Sequence, residues 1–157
     1  MKVLDEKNVV FNNILEKKVK FHPKVESIYE FVYDNYSDYD LSTDFISNKI
    51  HLSKQRVNEL CSLYFKMTPG SLLCYIRMLA ALKIMMNSCK NIKEIAISCG
   101  YQNQKTFYLN FKKSFKCYPT KVLEEINSSL DKQIVFEKYH KQLIKNMTFC
   151  NKDVGLT

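Results

Sequence analysis

Glycine and proline are scarce in this chain, with three of each among 157 residues, and tryptophan is absent. So few turn-forming residues over this length favour a mostly helical protein. Hydrophobic residues make up 46% of the chain, which is enough to build a core and excludes wholesale disorder. The length suits one domain, or one domain with additional segments.

Motifs of catalysis and secretion are missing as well. Three histidines (His22, His51 and His140) fall in separate predicted elements, and there is no HExxH, GxSxG or phosphate-binding loop. The sequence therefore predicts no enzyme, no cofactor and no metal site. Met1 is followed by charged residues, and no long apolar run predicts a signal sequence or a membrane span. A cytoplasmic protein is expected.

Six cysteines are present, but none forms a CxxC pair and none has a histidine at metal-ligand spacing. In a cytoplasmic protein such thiols are expected to stay reduced. Cys61, Cys74 and Cys99 lie among apolar positions. Packing in the core is therefore the favoured role for these three, and redox sensing is the alternative.

Positive charge is concentrated in the middle of the chain. Residues 41–122 contain thirteen Lys or Arg and three acidic residues, whereas the rest contains eleven basic and thirteen acidic residues. Such a block suits a polyanion, either nucleic acid or an anionic membrane surface. A membrane-surface protein would concentrate the charge on one amphipathic helix, but here it is spread over several. A merely solvated lysine-rich surface is the alternative that composition leaves open.

Hydrophobic periodicity and capping residues predict an all-α chain. Ser53, Thr68 and Asn103 are typical N-caps, and Pro69 suits the first position of a helix. A last amphipathic helix over 130–147 has Val135, Tyr139, Leu143 and Met147 on one stripe. The predicted helices cover residues 23–36, 42–49, 53–65, 69–87, 91–99, 103–115 and 130–147.

A short helix, a tight turn and a longer helix occur twice, over residues 46–65 and 95–114. This is helix-turn-helix spacing, in which the second helix can enter the major groove of DNA. The predicted recognition helices, 53–65 and 103–115, start fifty residues apart. The helix between them would be roughly 28 Å long at 1.5 Å per residue, so it could separate the two by about one duplex turn.

The segment IKEIAISCGYQNQKTFYLNFKKSFKCYP (92–119) resembles the signature of the AraC/XylS family of transcription regulators. Thr68-Pro69 is similar to the family's opening of the linker helix, and Arg77, Met78 and Ala81 are similar to its R-L-x-x-A pattern. The resemblance runs without gaps from about Asp40 to Val122. The matching residues of the second unit are Ile92, Ile95, Ala96, Gly100, Tyr101, Phe107, Phe111, Lys112, Lys113 and Pro119.

The second recognition helix carries the candidate DNA-reading residues. Phe107 and Phe111 are expected in the core, and Gly100 is expected to supply a positive φ in the turn. The opposite side then presents Gln104, Lys105, Tyr108 and Leu109 to base edges: glutamine suits adenine, lysine guanine, and an apolar side chain the thymine methyl. The predicted phosphate contacts are Lys54, Lys66, Asn103, Lys112, Lys113 and Lys116.

In the first unit, the resemblance implies that Gln55, Asn58 and Glu59 face the bases. Glu59 stands at a position that is often basic in the family. Its carboxylate could accept a hydrogen bond from cytosine, or it could weaken the binding of this unit to DNA. His51 replaces a small residue. Lys66 and Lys116 replace a common glycine, and since a left-handed lysine costs about 1 kcal/mol, those turns could be built differently.

The linker helix is expected to be fixed to the second unit through an ion pair between Arg77 and Glu94. Phosphate contact by Arg77 is the alternative to that pair.

The sequence thus predicts an all-α fold of two helix-turn-helix units joined by a long linker helix (a homeodomain-like pair), with an extra C-terminal helix. The predicted divisions are an N-terminal arm (1–22), the DNA-binding domain (23–122) and a C-terminal helix and tail (123–157). The expected function is a nucleoid-associated transcription activator that binds double-stranded DNA and RNA polymerase and is controlled through its abundance. Self-association or a protein partner through 130–147 stays open. The alternative is a relative that sequesters another regulator without binding DNA tightly.

Overall fold

The computed structural model describes residues 22–149, and that part of the chain is folded into α-helices without strands, as the sequence predicts. Of the predicted N-terminal arm, only His22 lies within the described residues, and the final eight residues also lie outside them. The helices are α1 (Pro23–Asn35), α2 (Thr43–Ile50), α3 (Lys54–Phe65), α4 (Pro69–Asn87), α5 (Ile92–Ser98), α6 (Gln104–Phe115), α7 (Pro119–Ser128) and α8 (Lys132–Phe149).

Polar caps define where the helices of the two helix-turn-helix units begin. Ser53 accepts a hydrogen bond from the Arg56 N–H at the start of α3, and Asn103 accepts one from the Thr106 N–H at the start of α6. Thr68 caps the linker helix α4 in the same way. These side chains satisfy N–H groups that a helix start leaves without partners, and the three predicted caps are confirmed.

The linker helix α4 lies at the centre of the fold and has 19 residues, the predicted bounds. By length and mean hydropathy it could span a membrane, contrary to the expectation from sequence, but 56% of its apolar window is buried inside the protein. Helices that precede and follow it in the chain pack on it: α1 and α3 from before it, α5 and α6 from after it. Its apolar residues are therefore those of a core helix.

Arg77, on α4, is buried and connects the loop after α1 with the second unit. Its Nε donates to the carbonyl oxygen of Tyr36 (2.8 Å) and its Nη2 to that of Asp38 (2.7 Å). Its guanidinium carbon also lies 5.2 Å from the centre of the Tyr101 ring. Burial lowers the pKa of the Arg77 guanidinium, yet an arginine keeps its charge in proteins.

The predicted ion pair between Arg77 and Glu94 is therefore wrong. Glu94 lies three residues after the N-cap of α5, where its carboxylate accepts from the Asn91 N–H at 2.9 Å and Asn91 caps the Glu94 N–H. This reciprocal capping box engages the Glu94 carboxylate at the start of its own helix. Two backbone carbonyls from the loop after α1 take the place of the carboxylate as partners of Arg77.

The C-terminal part contains a helix that the sequence analysis missed. Pro119 occupies the first position of α7, where a missing N–H costs nothing. Val122 and Ile126, four residues apart, are buried by this helix. Helix α8 begins at Lys132 rather than at residue 130. A turn precedes it, in which the Asp131 carboxylate accepts a hydrogen bond from the Gln133 N–H.

Helix α8 packs on the domain through the predicted stripe. Val135, Tyr139, Leu143 and Met147 are all buried, and the helix contacts α4, α6 and α7. Tyr139 meets the Phe115 ring edge to face, with the ring centres 6.0 Å apart. The stripe therefore packs within the chain.

Gly100 lies directly against the loop after α1, and its φ of 82° confirms the predicted turn. A Cβ atom there would lie 2.5 Å from the Tyr36 carbonyl oxygen and 2.9 Å from Arg77 Nη2. We expect Gly100→Ala to lower the free energy of unfolding by at least about 2 kcal/mol, from strain and displaced contacts. In the control Gly70→Ala, the new Cβ has Thr68 Oγ1 at 3.9 Å, and urea unfolding should show equal or slightly higher stability.

The chain has two arginines, which allows a matched test of the connection through Arg77. Arg77→Lys should cost about 2 kcal/mol in urea unfolding, because one ammonium cannot reproduce the two-pronged contact and a buried carbonyl loses its partner. Arg56→Lys alters an exposed ion pair and should cost less than about 0.5 kcal/mol. Equal losses in both variants would contradict the role given to Arg77.

Candidate nucleic-acid interface

The second recognition helix, α6, is held in the core on one side and exposed on the other. Phe107 and Phe111 are fully buried, as predicted, and their ring centres are 5.6 Å apart. Gln104 and Lys105 are exposed, and Leu109 is 61% exposed. The helix is thus anchored by its aromatic residues, while three of the four predicted base-facing side chains lie on its free surface.

Tyr108, the fourth predicted base-facing residue of α6, is only partly exposed. Its ring contacts the rings of Phe107 (6.4 Å between centres) and Tyr118 (6.3 Å). Lys112 donates to the Tyr118 hydroxyl at 3.1 Å, and its ammonium lies 4.8 Å from the centre of the same ring. Tyr108 and Lys112 therefore belong to a small aromatic cluster at the edge of the exposed surface.

The start of α6 offers hydrogen-bond donors. The Asn103 side-chain oxygen accepts from both the Thr106 N–H (2.9 Å) and the Thr106 hydroxyl (3.0 Å). Its amide nitrogen, which only donates, is not used by the cap. A helix N-terminus favours anions such as phosphate, so Asn103 occupies a position suited to its predicted role.

The turns after both recognition helices keep the geometry that a glycine would adopt. Lys66 has φ 55° and Lys116 has φ 57°, and each caps its helix in the left-handed conformation. His51, after α2, has φ 56°. The expectation that lysine would force a different turn is therefore wrong, and the strain is accepted at about 1 kcal/mol per residue. Both lysines, like Lys113 on α6, are exposed.

The charged side chains of the first recognition helix, α3, are paired within the first unit. Glu59 accepts from Arg56 Nη1 (3.1 Å) and from Gln55 Nε2 (3.1 Å). Lys54 forms an ion pair with Asp44 of α2, and its carbonyl oxygen accepts from the Asn58 side chain at 3.0 Å. All the predicted DNA-facing side chains along this helix are exposed, yet each has a partner on the protein.

The two units consequently differ in charge. Residues 41–68, around α2 and α3, contain four Lys or Arg and two acidic residues, and both acids bind cations of the unit. Residues 90–121, around α5 and α6, contain seven lysines and one acid, Glu94. The capping box holds that carboxylate at the start of α5. The positive potential that attracts DNA is therefore stronger around the second unit.

Two exposed residues of the recognition helices were missed at the level of sequence. Arg56 lies among the predicted contacts of α3, and its spacing of three from Glu59 was the available signal. Thr106 follows Lys105 in the first turn of α6, where a hydroxyl can donate to phosphate or a base edge. The spacing of Phe107 and Phe111 indicates the buried face of α6 but not how far its exposed face extends.

Comparison of the chain with known protein families and solved structures agrees with this geometry. A family model described as a helix-turn-helix domain matches residues 46–125, about half of the chain. The chain belongs to the AraC-type helix-turn-helix family. It is accordingly a DNA-binding transcription regulator, and its family is not one of enzymes. No curated protein matches the chain.

Solved structures with the same fold include AraC-type domains. The C-terminal domain of AraT, a response regulator from Geobacillus stearothermophilus, is 23% identical, with a TM-score of 0.63 over 66% of this chain and 85% of that one. The C-terminal domain of the response regulator yesN from Fusobacterium nucleatum is 22% identical, with a TM-score of 0.61 over 64% and 97%. The DNA-binding domain of AdpA, solved with a target DNA, is 14% identical, with a TM-score of 0.61 over 68% and 97%.

The AraC-type regulator should bind DNA more tightly when Glu59 is neutralised. Glu59→Gln removes a negative charge from the surface of α3 and releases Arg56, so the affinity for duplex DNA at low salt should rise about three- to tenfold. Fluorescence anisotropy over a salt series measures both affinity and salt dependence. Glu26→Gln, an exposed carboxylate on α1, controls for net charge; an equal gain in that variant would refute a local effect of Glu59.

Proposed function

We propose that this regulator reads a specific DNA sequence with both recognition helices, α3 and α6, and that α6 supplies most of the specificity. The observation that carries this proposal is the contrast between their surfaces. On α3, Glu59 engages Gln55 and Arg56, so these side chains must exchange partners before they bind bases. On α6, Gln104 and Lys105 are exposed without such a carboxylate on the helix.

Roles for individual residues follow from their chemistry. Gln104 suits the paired donor and acceptor of adenine, Lys105 suits guanine, and exposed Leu109 suits a thymine methyl group. Gln55, Asn58 and Glu59 are assigned to a second, weaker base-reading site, with Tyr108 at the edge of the first. Phosphate contacts that position the protein are assigned to Lys54, Lys66, Asn103, Lys112, Lys113 and Lys116. The complex of the AdpA domain with its target DNA supports this use of the fold.

Activation is the proposed direction of regulation, with RNA polymerase as the protein partner. This follows the behaviour of similar regulators rather than a contact surface of this chain. A reporter placed behind a bound promoter should be transcribed more strongly when the protein is expressed. Transcription that falls on expression would assign repression instead, without affecting the DNA-binding proposal.

Sequestration of another regulator is the second candidate function. Two features favour it: Leu109 exposes 61% of its surface where a basic residue is common, and Glu59 places a carboxylate on the base-facing side of α3. A mobility-shift assay on AT-rich promoter DNA separates the candidates. A DNA reader must bind at low salt and lose affinity as salt rises. Absence of binding at low salt would favour sequestration.

Selection from a random duplex library tests which helix reads more sequence. Gln104→Ala combined with Lys105→Ala should remove most of the selected motif and weaken specific binding about tenfold or more, because each good base contact contributes about 1 to 3 kcal/mol. Gln55→Ala combined with Asn58→Ala is the matched pair on α3 and should shorten the motif only in part. Equal loss from both pairs would contradict the proposed asymmetry.

Replacing Lys105 alone shows whether this residue contacts a base or a backbone phosphate. Lys105→Ala should weaken binding to the selected site more than binding to random DNA. Lys116→Ala, at a predicted phosphate contact, is the control and should weaken both to a similar extent and reduce the salt dependence. A uniform loss in the Lys105 variant would reassign that residue to the phosphate backbone.

A further inference from the structure

The turn between α7 and α8 exposes two large apolar side chains. Leu130 is fully exposed, and Ile134, four residues later at the start of α8, is 66% exposed. Polar groups fix the turn: the Ser129 hydroxyl accepts from the Asp131 N–H at 3.2 Å, and the Asp131 carboxylate accepts from the Gln133 N–H at 2.9 Å. The projection formed by Leu130 and Ile134 is therefore held in water, where it gains no free energy from burial.

A groove of about 550 Å³ opens beside the same turn. It lies between the end of α4, the loop that leads to α5, and the segment from α7 to the start of α8. Met86 and Leu123 contribute partly exposed apolar surface, and a methionine adapts its shape to an entering side chain. Asn127 and Lys132, on either side of Leu130 in the chain, also line the groove. The projection and the groove are thus neighbours on one surface.

The projection and the groove carry opposite charges. Asp131 and Glu137 are exposed acidic residues beside the projection, whereas Lys90 and Lys132 line the groove. Within the described chain, no acidic side chain lines it. Lys90 donates to the Ser98 hydroxyl at 3.1 Å, a neutral group that leaves the positive charge in place. Apolar contacts surrounded by complementary charges are typical of protein–protein interfaces.

We propose that a second copy of this chain covers the groove, with the projection of each molecule inserted into the groove of the other. The charge of the groove calls for an apolar segment flanked by acidic residues, and the chain carries such a segment on the same surface. A self-complementary surface of this kind closes as a two-fold dimer. Two contacts of this size bury less area than a permanent dimer does, so the association should be reversible.

The dimer has a consequence for DNA binding. Neither recognition helix, α3 or α6, lines the groove. Two molecules joined through it would present two pairs of recognition helices related by a two-fold axis, so paired DNA sites with the same symmetry should be bound cooperatively. This consequence rests on the proposed function, but the dimer itself does not.

Sedimentation equilibrium of the full chain without DNA tests the dimer, whatever the outcome of DNA-binding experiments. The average mass should rise with concentration from that of one chain toward that of two. Leu130→Ser should weaken dimerisation about tenfold or more, because a central apolar side chain contributes much of the energy of such an interface. Leu63→Ser, at a leucine of α3 that is 49% exposed, is the matched control and should associate as the wild type does.

Three results would overturn the proposal. A chain that stays monomeric at every concentration would leave the groove to another partner. Equal losses in the Leu130 and Leu63 variants would remove the special role of the projection. Growth beyond a dimer would exclude the two-fold arrangement.

Cross-linking locates the contact. Cys89 is exposed and lines the groove, so in Leu130→Cys the new thiol of one molecule should lie near Cys89 of the other. Diamide, which takes up the two electrons and two protons released, should then give a covalent dimer on a non-reducing gel. The wild type and Leu63→Cys, treated alike, control for the other thiols. Adding Cys89→Ser should abolish the product; a dimer that survives this change, or an oxidised product that stays monomeric, would refute the proposed contact.

Discussion

The contact of Arg77 with two backbone carbonyls is the constraint that holds the loop after α1, the linker helix and the second unit together. Arg77 belongs to the linker helix, its partners Tyr36 and Asp38 belong to the loop before the first unit, and the Tyr101 ring belongs to the second. Gly100 must lack a side chain for that loop to approach. Backbone carbonyls cannot change rotamer as a carboxylate can, so they fix the guanidinium more firmly than the predicted ion pair would.

The two units differ in whether the polar side chains of their recognition helices are already paired within the protein. Pairs three or four residues apart on a helix surface contribute only a few tenths of a kcal/mol to stability. The carboxylate of Glu59 nevertheless offsets the positive charge that Arg56 gives to this helix surface. Residues 90–121 have an excess of lysines and no acid on the recognition helix. The two units therefore share one architecture but differ in the charge of their surfaces.

Features with a local cause could be predicted from the sequence, and features with a distant cause could not. Caps at Ser53 and Asn103 and the positive φ at Gly100 depend on neighbours within a few residues, and all are found. The partners of Arg77 lie about forty residues away, and nothing in the spacing indicates them. For Lys66 and Lys116, packing of the flanking helices outweighs a local conformational cost. Helix α7 was missed although its proline and its Val122–Ile126 spacing were visible.

The position of α8 changes how the C-terminal segment should be understood. Asn146 donates to the Ser114 carbonyl oxygen at the end of α6, and Tyr139 covers Phe115, so α8 completes the second unit. Removing it would expose that carbonyl and several core residues, and a truncated chain would report lost stability rather than lost association. Leu130 and Ile134, which are exposed beside the buried stripe, are the positions at which self-association can be tested without disturbing the fold. Because the stripe is occupied inside the chain, any partner of this segment must bind another face of α8.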